Sequence, residues 1–326
     1  MTNKLFENAC NRISQPCPPI WMMRQAGRYQ KGYMAMKEHY TFEQMCKRPE
    51  LASEVAILPI KQFDFDIAIL FSDILFPIEG LGVPLKFDPG PKFEWNINEE
   101  NYQKHSDISK AIDHMQFQGT AIKLTREKLN QSKSLIGFVG GPWTLLNYAT
   151  GKRPDIDLKW KKAYLEEVIV PVLIRNIKLQ LESGAEKVMI LDSGVVDMSE
   201  SFFKDHYVKI LKPLIFKDVG YYTQHLNGKC LETLFKMGWS GLGIDSGVDL
   251  LETFVHYTNG FIQGNFDQKK LLLPGEECKK EINLFCDKIE SINHKGWICG
   301  LGHGIIKTTP ENNVHLFIDI IRKRFK

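Results

Sequence analysis

The chain has 326 residues, of which 43% are hydrophobic and 25% are charged, a composition typical of a globular protein with a large core. Lys and Arg number 42 against 39 Asp and Glu, so the formal net charge is +3 and does not indicate nucleic acid as a partner. These figures exclude a disordered chain and a fibrous protein.

The apolar runs are too short for a membrane protein. Residues 168–174 are interrupted by Pro171 and fall far short of the ~20 residues of a membrane helix, so we expect no membrane partner. The first 14 residues contain Asn, Glu and Arg where a secretory signal would be apolar, and this predicts a cytoplasmic location. Seven cysteines without a C-x-x-C pair indicate free thiols rather than disulfides or a zinc ribbon.

Eight short apolar runs predict strands buried in a parallel sheet. They are rich in Ile, Val, Leu, Phe or Tyr and are bounded by Gly, Pro or Asp. The runs cover residues 19–23, 67–71, 135–139, 188–191, 221–223, 241–244, 260–262 and 297–299.

Stretches with helical spacing alternate with these runs. They cover residues 49–62, 108–129, 158–181, 203–216, 230–237, 250–256, 276–292 and 311–324. Because no linker interrupts the alternation, we predict one α/β domain over residues 1–326, a single (β/α)₈ TIM barrel. A doubly wound open sheet is the alternative, but no G-x-G-x-x-G follows the first strand.

Two connections, residues 27–65 and 77–104, are longer than usual. Insertions of this length are often functional loops or lids, and the second has the Gly and Pro content of a loop. We expect both segments to close over a bound ligand.

Polar residues follow the predicted strands, at the end of the barrel where active sites are built. They are Arg24, Gln25, Ser72, Asp73, Gly140, Gly141, Pro142, Asp192, Ser193, Gln224, His225, Asp245, Ser246, Gln263, Asn265 and His303. Polar residues at strand ends also cap helices. We interpret Ser246 and Asn265 in that way, and for Asp192 and Asp245 both interpretations stay open.

The segment WMMRQAGRY, residues 21–29, is the most informative of these. Arg24 and Arg28 are four residues apart, so on a helical turn they would share a face, and Gly27 would let a ligand come close. Two fixed guanidinium groups suit a substrate that carries carboxylates. The alternative is a pair of surface arginines in ion pairs.

Asp73 comes directly after the apolar run 67–71. A carboxylate at the mouth of an apolar barrel can act as a general acid or base, a metal ligand, or an acceptor for substrate N–H groups. The nine histidines show no i, i+4 pairing and H-E-x-x-H is absent, so a metal is the weakest of these interpretations.

Five segments together resemble the uroporphyrinogen decarboxylase family. They are residues 23–29 (MRQAGRY), 69–75 (ILFSDIL), 140–145 (GGPWTL), 263–265 (QGN) and 301–305 (LGHGI). These segments occur in the same order as in that family, and the resemblance extends from about residue 19 to the C-terminus. The first two segments are highly specific in combination.

The resemblance implies a (β/α)₈ barrel without metal or other cofactor that forms a homodimer. It implies conversion of uroporphyrinogen III to coproporphyrinogen III by loss of four acetate carboxyl groups as CO₂. This substrate carries eight carboxylates around four pyrrole N–H groups, so it fits a site with arginines at the rim and one anionic acceptor at the centre.

The resemblance also assigns the site residues. Asp73 matches the central aspartate that accepts hydrogen bonds from the pyrrole N–H groups, and together with Arg24 and Arg28 it forms the expected catalytic set. The expected substrate-binding residues are Arg24, Gln25, Ala26, Gly27, Arg28, Asp73, Tyr148, Ser193 and His303. The identity of the proton donor stays open.

Three positions depart from the family pattern. Residues 194–196 (GVV) replace an aromatic residue followed by small residues, Ser246 replaces a Trp, and Cys299 with Gly300 replaces Phe-Asn. We expect these departures to lie on the rim of the site.

Two other functions are compatible with this barrel. Related methyltransferases bind zinc through His-x-Cys on the fifth strand and a later Cys. Here Cys230 lies five residues after His225, and Cys299 lies near the last strand, so the spacing disfavours zinc. A carrier that binds tetrapyrroles without turnover is the other alternative, but Asp73 is harder to explain in a carrier.

Overall fold

A computed structural model describes residues 3–151, 158–226, 228–290, 292 and 294–325. Its strands are β1 (Ile67–Ile69), β2 (Leu85–Phe87), β3 (Pro91–Phe93), β4 (Ser134–Gly140), β5 (Lys187–Leu191), β6 (Val219–Tyr222), β7 (Gly241–Gly243), β8 (Phe261–Phe266) and β9 (Trp297–Leu301). Seven of them form one parallel sheet in the order β1-β4-β5-β6-β7-β8-β9, and β2 pairs with β3 in an antiparallel hairpin. The protein therefore has an α/β fold built on a parallel sheet.

Helices occupy most of the connections between these strands. They are α1 (Lys4–Cys10), α2 (Lys31–His39), α3 (Phe42–Lys47), α4 (Pro49–Phe63), α5 (Phe76–Gly80), α6 (Ile108–His114), α7 (Gln116–Lys128), α8 (Pro142–Ala149), α9 (Leu158–Tyr164), α10 (Val170–Glu182), α11 (Glu200–Phe202), α12 (Val208–Leu211), α13 (Gly228–Phe235), α14 (Leu250–His256), α15 (Gly275–Glu290) and α16 (Glu311–Arg324). In the described part of the chain, none of these helices is long and apolar enough to cross a membrane.

Most predicted helices are present, but three predicted single helices are divided. The prediction over 158–181 becomes α9, a π-helical turn (Leu165–Ile169) and α10. The prediction over 108–129 becomes α6 and α7, which meet at Met115. The prediction over 203–216 becomes a π-helical turn (Phe203–Tyr207), α12 and a 3₁₀ turn (Lys212–Leu214). Pro213 lies in that last turn, and proline has no backbone N–H to continue an α-helix.

The first predicted strand, residues 19–23, is reduced to one bridging residue, Ile20, which pairs in parallel with Cys299. The amide of Cys299 donates to the Pro19 carbonyl at 2.9 Å, and the amide of Trp21 donates to the Cys299 carbonyl at 3.0 Å. On the other side, the Asp66 amide donates to the Ile20 carbonyl at 3.1 Å. This segment therefore lies between the two edge strands of the sheet, β1 and β9.

The sheet is buried on both faces. All seven residues of β4 and all six of β8 are buried, as expected for a parallel sheet that is covered on both faces. Helix α16 is amphipathic, because it buries Val314, Phe317 and Ile321 and leaves Lys323 near its basic end exposed.

The two long connections are not irregular loops. Residues 27–65 hold α2, α3 and α4, and residues 77–104 include the β2–β3 hairpin. Phe42 at the start of α3 packs against Phe87 of the hairpin and against Phe71, with ring centroids 4.9 and 5.8 Å apart. Both insertions therefore contact the segment that carries Asp73.

Candidate active site at the carboxyl ends of the strands

Arg24 has a strained backbone and an exposed side chain. Its φ of 57° lies in the left-handed region, which residues other than glycine seldom adopt. A Cβ on Gly304 would lie 2.4 Å from the Arg24 Cδ, so glycine at position 304 leaves room for the arginine stem. The Ile305 amide donates to the Met23 carbonyl at 3.0 Å and joins the two segments.

Residues 23–30 form turns and bends, so the prediction that Arg24 and Arg28 share a helical turn is wrong. Both arginines are nevertheless exposed. The positive charge of Arg24 acts on Asp73 and His303, whereas that of Arg28 acts on Tyr33.

Gln25 anchors the segment between the two arginines. Its side chain is fully buried, and its Nε2 donates to the Ile67 carbonyl at 2.9 Å. Its own carbonyl accepts a 2.6 Å hydrogen bond from the Tyr29 hydroxyl. Ala26 and Gly27, which follow it, are partly exposed.

Asp73 is partly buried beyond the end of β1. Its Oδ1 accepts a 2.9 Å hydrogen bond from the Leu75 amide. Burial raises the pKa of this carboxyl group from 3.8 to about 6, against the opposing effects of that hydrogen bond and of Arg24. The group is therefore mostly anionic at neutral pH but protonates much more readily than an exposed aspartate.

The residue before Asp73 has a buried partner that the sequence did not indicate. Gln118, in the first turn of α7, donates from Nε2 to the Ser72 hydroxyl at 2.9 Å. Gln118 is buried, and a lone glutamine within a helix gives no signal of such a contact in the sequence. This hydrogen bond braces the Asp73 segment against α7.

Asp192 is fully buried and accepts four hydrogen bonds. Its Oδ1 accepts from the Thr144 amide at 2.9 Å and from the Thr144 hydroxyl at 2.8 Å. Its Oδ2 accepts from the hydroxyls of Tyr221, at 2.8 Å, and Tyr207. Burial raises its pKa, and these four donors oppose that effect. Asp192 therefore caps a helix, since Thr144 lies in the first turn of α8. This helix lies before β5 in the chain, whereas the capping interpretation expected the next helix along the chain, where Asp192 makes no cap hydrogen bond.

Tyr148 and Ser193 are positioned by the elements that Asp192 joins. Tyr148 lies on α8, and Ser193 begins a 3₁₀ turn directly after Asp192. Both side chains are partly exposed. The Gly194 amide donates to the Thr144 hydroxyl at 2.8 Å, so the departure at position 194 lies in close contact with α8.

Asp245 accepts hydrogen bonds from backbone amides in the loops that follow β6 and β7. Its Oδ2 accepts from the amide of His225 at 2.7 Å, and its Oδ1 accepts from the amide of Gly247 at 2.7 Å. His225 has a left-handed φ of 51°. Asn265 donates from Nδ2 to the carbonyls of Asp245 and Val248 at 2.9 and 2.7 Å. These polar residues therefore fix loop geometry rather than cap a helix.

His303 lies close to Arg24, His225 and Asp245, as their electrostatic effects show. Its Nδ1 lies 3.0 Å from the Tyr222 hydroxyl, and the two rings are stacked. Burial, Arg24 and His225 lower the pKa of this imidazole to about 4, so it is neutral at physiological pH.

The other two departures from the family pattern, at Ser246 and at Cys299 with Gly300, lie in different parts of the structure. Ser246 is exposed, whereas Cys299 and Gly300 lie inside β9 and are buried. A Cβ on Gly300 would lie 2.1 Å from the Trp21 carbonyl oxygen. Gly300 therefore allows residues 19–21 to pack against β9, and the prediction that it lies on the rim is wrong.

The fold does not bring a set of zinc ligands together among the described residues. Over the residues that the structure describes, no group of three or more His, Cys, Asp or Glu side chains could hold a metal ion. Cys230 is buried on α13, and Cys299 is buried in β9.

Comparison with known proteins gives one family for the whole chain. The sequence model of the uroporphyrinogen decarboxylase family matches residues 1–324. Proteins named uroporphyrinogen decarboxylase include one from Carboxydothermus hydrogenoformans, 33% identical over 98% of this chain and 96% of the relative. Another, from Geotalea daltonii, is 34% identical over 96% of this chain and 97% of the relative.

Solved structures show the same fold at low sequence identity. A methyltransferase from Methanosarcina mazei superposes with a TM-score of 0.79 at 16% identity, covering 99% of each chain. A B12-independent methionine synthase from Shewanella gives a TM-score of 0.55 at 9% identity, covering 95% of this chain and 96% of its own. These likenesses concern the fold alone, whereas the family match and the relatives above extend over the whole sequence. The chain belongs to the uroporphyrinogen decarboxylase family.

Proposed function

We propose that this protein is a carboxy-lyase that converts uroporphyrinogen III to coproporphyrinogen III in porphyrin and haem biosynthesis. Each of four acetate side chains takes up one proton, loses CO₂ and becomes a methyl group. The main support is Asp73, a partly buried carboxylate beyond the end of β1 that interacts with Arg24. Its place in a chain of this family makes it the proposed centre of the reaction.

The proposed role of Asp73 is to accept hydrogen bonds from the pyrrole N–H groups. Protonation of a pyrrole carbon gives a cation that can take up the electrons of the breaking C–C bond as CO₂ leaves. A carboxylate fixed beside that cation stabilises it, because preorganised charge in a poorly solvated site is more effective than water. Burial contributes here, since it limits the solvent that would screen Asp73.

Arg24 and Arg28 are the proposed cations for the substrate carboxylates. Both are exposed, and a guanidinium group can bind a carboxylate through two parallel hydrogen bonds. Arg24 is the better placed of the two to act near the reacting ring, because it also interacts with Asp73. We assign both arginines to the catalytic set.

The remaining proposed residues shape the pocket. Gln25 holds the arginine segment against β1 through the Ile67 carbonyl, while Ala26 and Gly27 offer backbone close to the substrate. Tyr148, Ser193 and His303 are proposed to contact substrate side groups, which their partial exposure supports. No metal or other cofactor is assigned to the reaction.

We also propose that residues 19–21 close the sheet as an eighth strand, giving a single (β/α)₈ barrel domain over residues 1–326. Support comes from the hydrogen bonds of this segment to both Asp66 and Cys299. The resemblance to the family supports a homodimer, for which sedimentation of the intact chain is the test. A cytoplasmic location is supported by thiols that form no disulfide, such as those of Cys46 and Cys299.

The direct test is anaerobic incubation of the purified protein with uroporphyrinogen III, without added metal or cofactor. The oxidised products are then separated by carboxylate number. We expect species with seven, six, five and four carboxylates to appear in succession. Unchanged substrate from folded protein would contradict the proposed function and favour the carrier alternative.

A further inference from the structure

The Tyr222 phenol has one proton and three hydrogen-bonding neighbours, of which the Gln224 side chain lowers its pKa and therefore donates to the phenol oxygen. The Tyr222 hydroxyl lies 2.9 Å from the Gly302 carbonyl oxygen and 3.0 Å from His303 Nδ1. The carbonyl oxygen can only accept, and Gly302 is buried, so the phenol proton goes to this carbonyl rather than leave it without a donor. His303 Nδ1 must then carry a proton and donate it to the phenol oxygen.

This arrangement determines the other nitrogen of His303. A neutral imidazole has one protonated and one unprotonated nitrogen. With the proton on Nδ1, Nε2 keeps a free lone pair. His303 is partly exposed, and the hydrogen bond that its ring makes to the described residues is at Nδ1, so Nε2 is left for a ligand.

The groups around His303 keep the ring neutral. Arg24 faces it from the segment after Met23, His225 follows β6 and Asp245 follows β7. Burial, Arg24 and His225 disfavour a second proton on the ring by lowering its pKa, and Asp245 opposes them with a smaller effect. Tyr222 itself is buried and contributes no charge, because burial raises the pKa of its phenol well above its ordinary value.

We infer that Tyr222 is a positioning residue, which holds His303 in the Nδ1–H tautomer so that Nε2 accepts a hydrogen bond from a substrate N–H or O–H group. This inference rests on the proposed function for the identity of the substrate, but the tautomer itself does not depend on it. A neutral ring in this state is not a cation for a carboxylate. Carboxylate binding therefore falls to Arg24 and Arg28, and His303 recognises donor groups.

The test is ¹⁵N NMR of the full chain labelled at histidine, in which a protonated and an unprotonated ring nitrogen have well separated shifts. His303→Gln identifies the His303 signals among the nine histidines. In the unaltered protein we expect a protonated Nδ1 and an unprotonated Nε2. A proton on Nε2 would overturn the inference, even without any further variant.

Tyr222→Phe removes the phenol oxygen that accepts from Nδ1. We expect the His303 signals to shift toward a mixture of tautomers and kcat/KM to fall about tenfold, as for loss of one hydrogen bond. Tyr257→Phe is the matched control, because Tyr257 is also buried and donates to a backbone carbonyl, that of Trp239, at 2.6 Å. The control should leave both the His303 signals and kcat/KM unchanged.

Two results for Tyr222→Phe would overturn the positioning role: an unchanged tautomer, or a changed tautomer with full turnover. The NMR result needs no turnover, so it separates this inference from the proposed function. If His303 has the Nδ1–H tautomer but the protein does not decarboxylate uroporphyrinogen III, the proposed function is refuted. The role of Tyr222 in fixing the tautomer is not refuted by that result.

Discussion

The proposed reaction requires Asp73 as a carboxylate anion, and this charged form is unfavourable for the stability of the fold. Burial raises the pKa of this carboxyl group from 3.8 to about 6. At pH values between these two numbers, Asp73 is therefore protonated in a larger fraction of folded than of unfolded molecules. The stability that this group contributes is therefore fully present below about pH 4 and is lost as the pH rises through about 6. At neutral pH the chain retains a buried negative charge at some expense in stability.

Replacement of this charge should separate activity from stability. For Asp73→Asn we expect turnover to fall at least ~100-fold, by analogy with loss of one preorganised transition-state contact. The melting temperature at pH 7 should stay equal or rise, because burial of the charge costs more than the Leu75 amide and Arg24 offset. Product analysis by carboxylate number and thermal unfolding measure the two effects.

The control for this variant is Asp107→Asn, an exposed helix cap that accepts from the Lys110 amide. Asparagine is an equally good cap, so activity and stability should both be unchanged. Near-normal turnover in Asp73→Asn would remove Asp73 from the mechanism.

The pH dependence of the reaction should report the same carboxyl group. Only the anion accepts hydrogen bonds with both oxygens and stabilises a cation, so we expect kcat/KM to fall as the pH decreases through about 6. The residual activity of Asp73→Asn should lack this step. A profile that is flat between pH 5 and 7 (roughly one unit on either side of that pKa) would contradict the assignment.

At the scale of elements, Asp192 caps helix α8, whose own N-cap residue has no side chain to accept a hydrogen bond. Helix α8 begins after Gly141, which has no side chain to accept from the first free amides. Asp192 from the end of β5 supplies the acceptor instead, and a negative charge is favourable at a helix N-terminus. A Cβ on Gly141 would lie 2.1 Å from the Asp192 Cγ, so the glycine permits this close contact.

Asp192→Asn should destabilise the fold strongly. An amide NH₂ would face either the two tyrosine hydroxyls or the Thr144 donors, so buried donors would lose their acceptor. We expect the free energy of unfolding in urea to fall by about 3 kcal/mol. Tyr221→Phe, which removes one of the four donors, should reduce it by only about 1 kcal/mol. Equal effects for both variants would show that Asp192 is not the centre of this network.

At the scale of the whole molecule, the proposed closure of the sheet depends on a few contacts. Asp66 is buried and accepts from the Ile20 amide at 2.8 Å and from Arg322 of α16 at 3.2 Å. Together with the bonds of residues 19–21 to Cys299, these contacts join β1, β9 and the last helix. The proposed eighth strand is therefore short but bonded on both sides.

Hydrogen exchange tests this closure. If residues 19–21 complete the barrel, the amides of Trp21, Asp66 and Cys299 should be as protected as that of Ile136 within β4, since all would open only with global unfolding. The exposed residue Glu99 provides the fast reference. Exchange at Trp21 and Cys299 as fast as at Glu99 would mean that the sheet is open between β9 and β1.

Local patterns in the sequence were sufficient for the order of the elements and for the family. Apolar runs predicted seven of the parallel strands, and the helices over 250–256 and 311–324 agree with α14 and α16. The residues around Asp73 and the two arginines were found because they directly follow such runs. Periodicity and short motifs depend on near neighbours in the chain, so they can be read without a structure.

Contacts between distant residues were decided by the tertiary structure alone. Tyr222 and His303 are 81 positions apart, and Gln118 and Ser72 are 46 apart, and no local pattern marks these pairs. The left-handed backbone of Arg24, which breaks the expected helical turn, and the space that Gly304 leaves for its side chain likewise have no signal in the local sequence. The sequence by itself determined which residues stand at the ends of the strands. Only packing of the whole chain decided which of them meet, because a hydrogen bond depends on distance in space rather than along the chain.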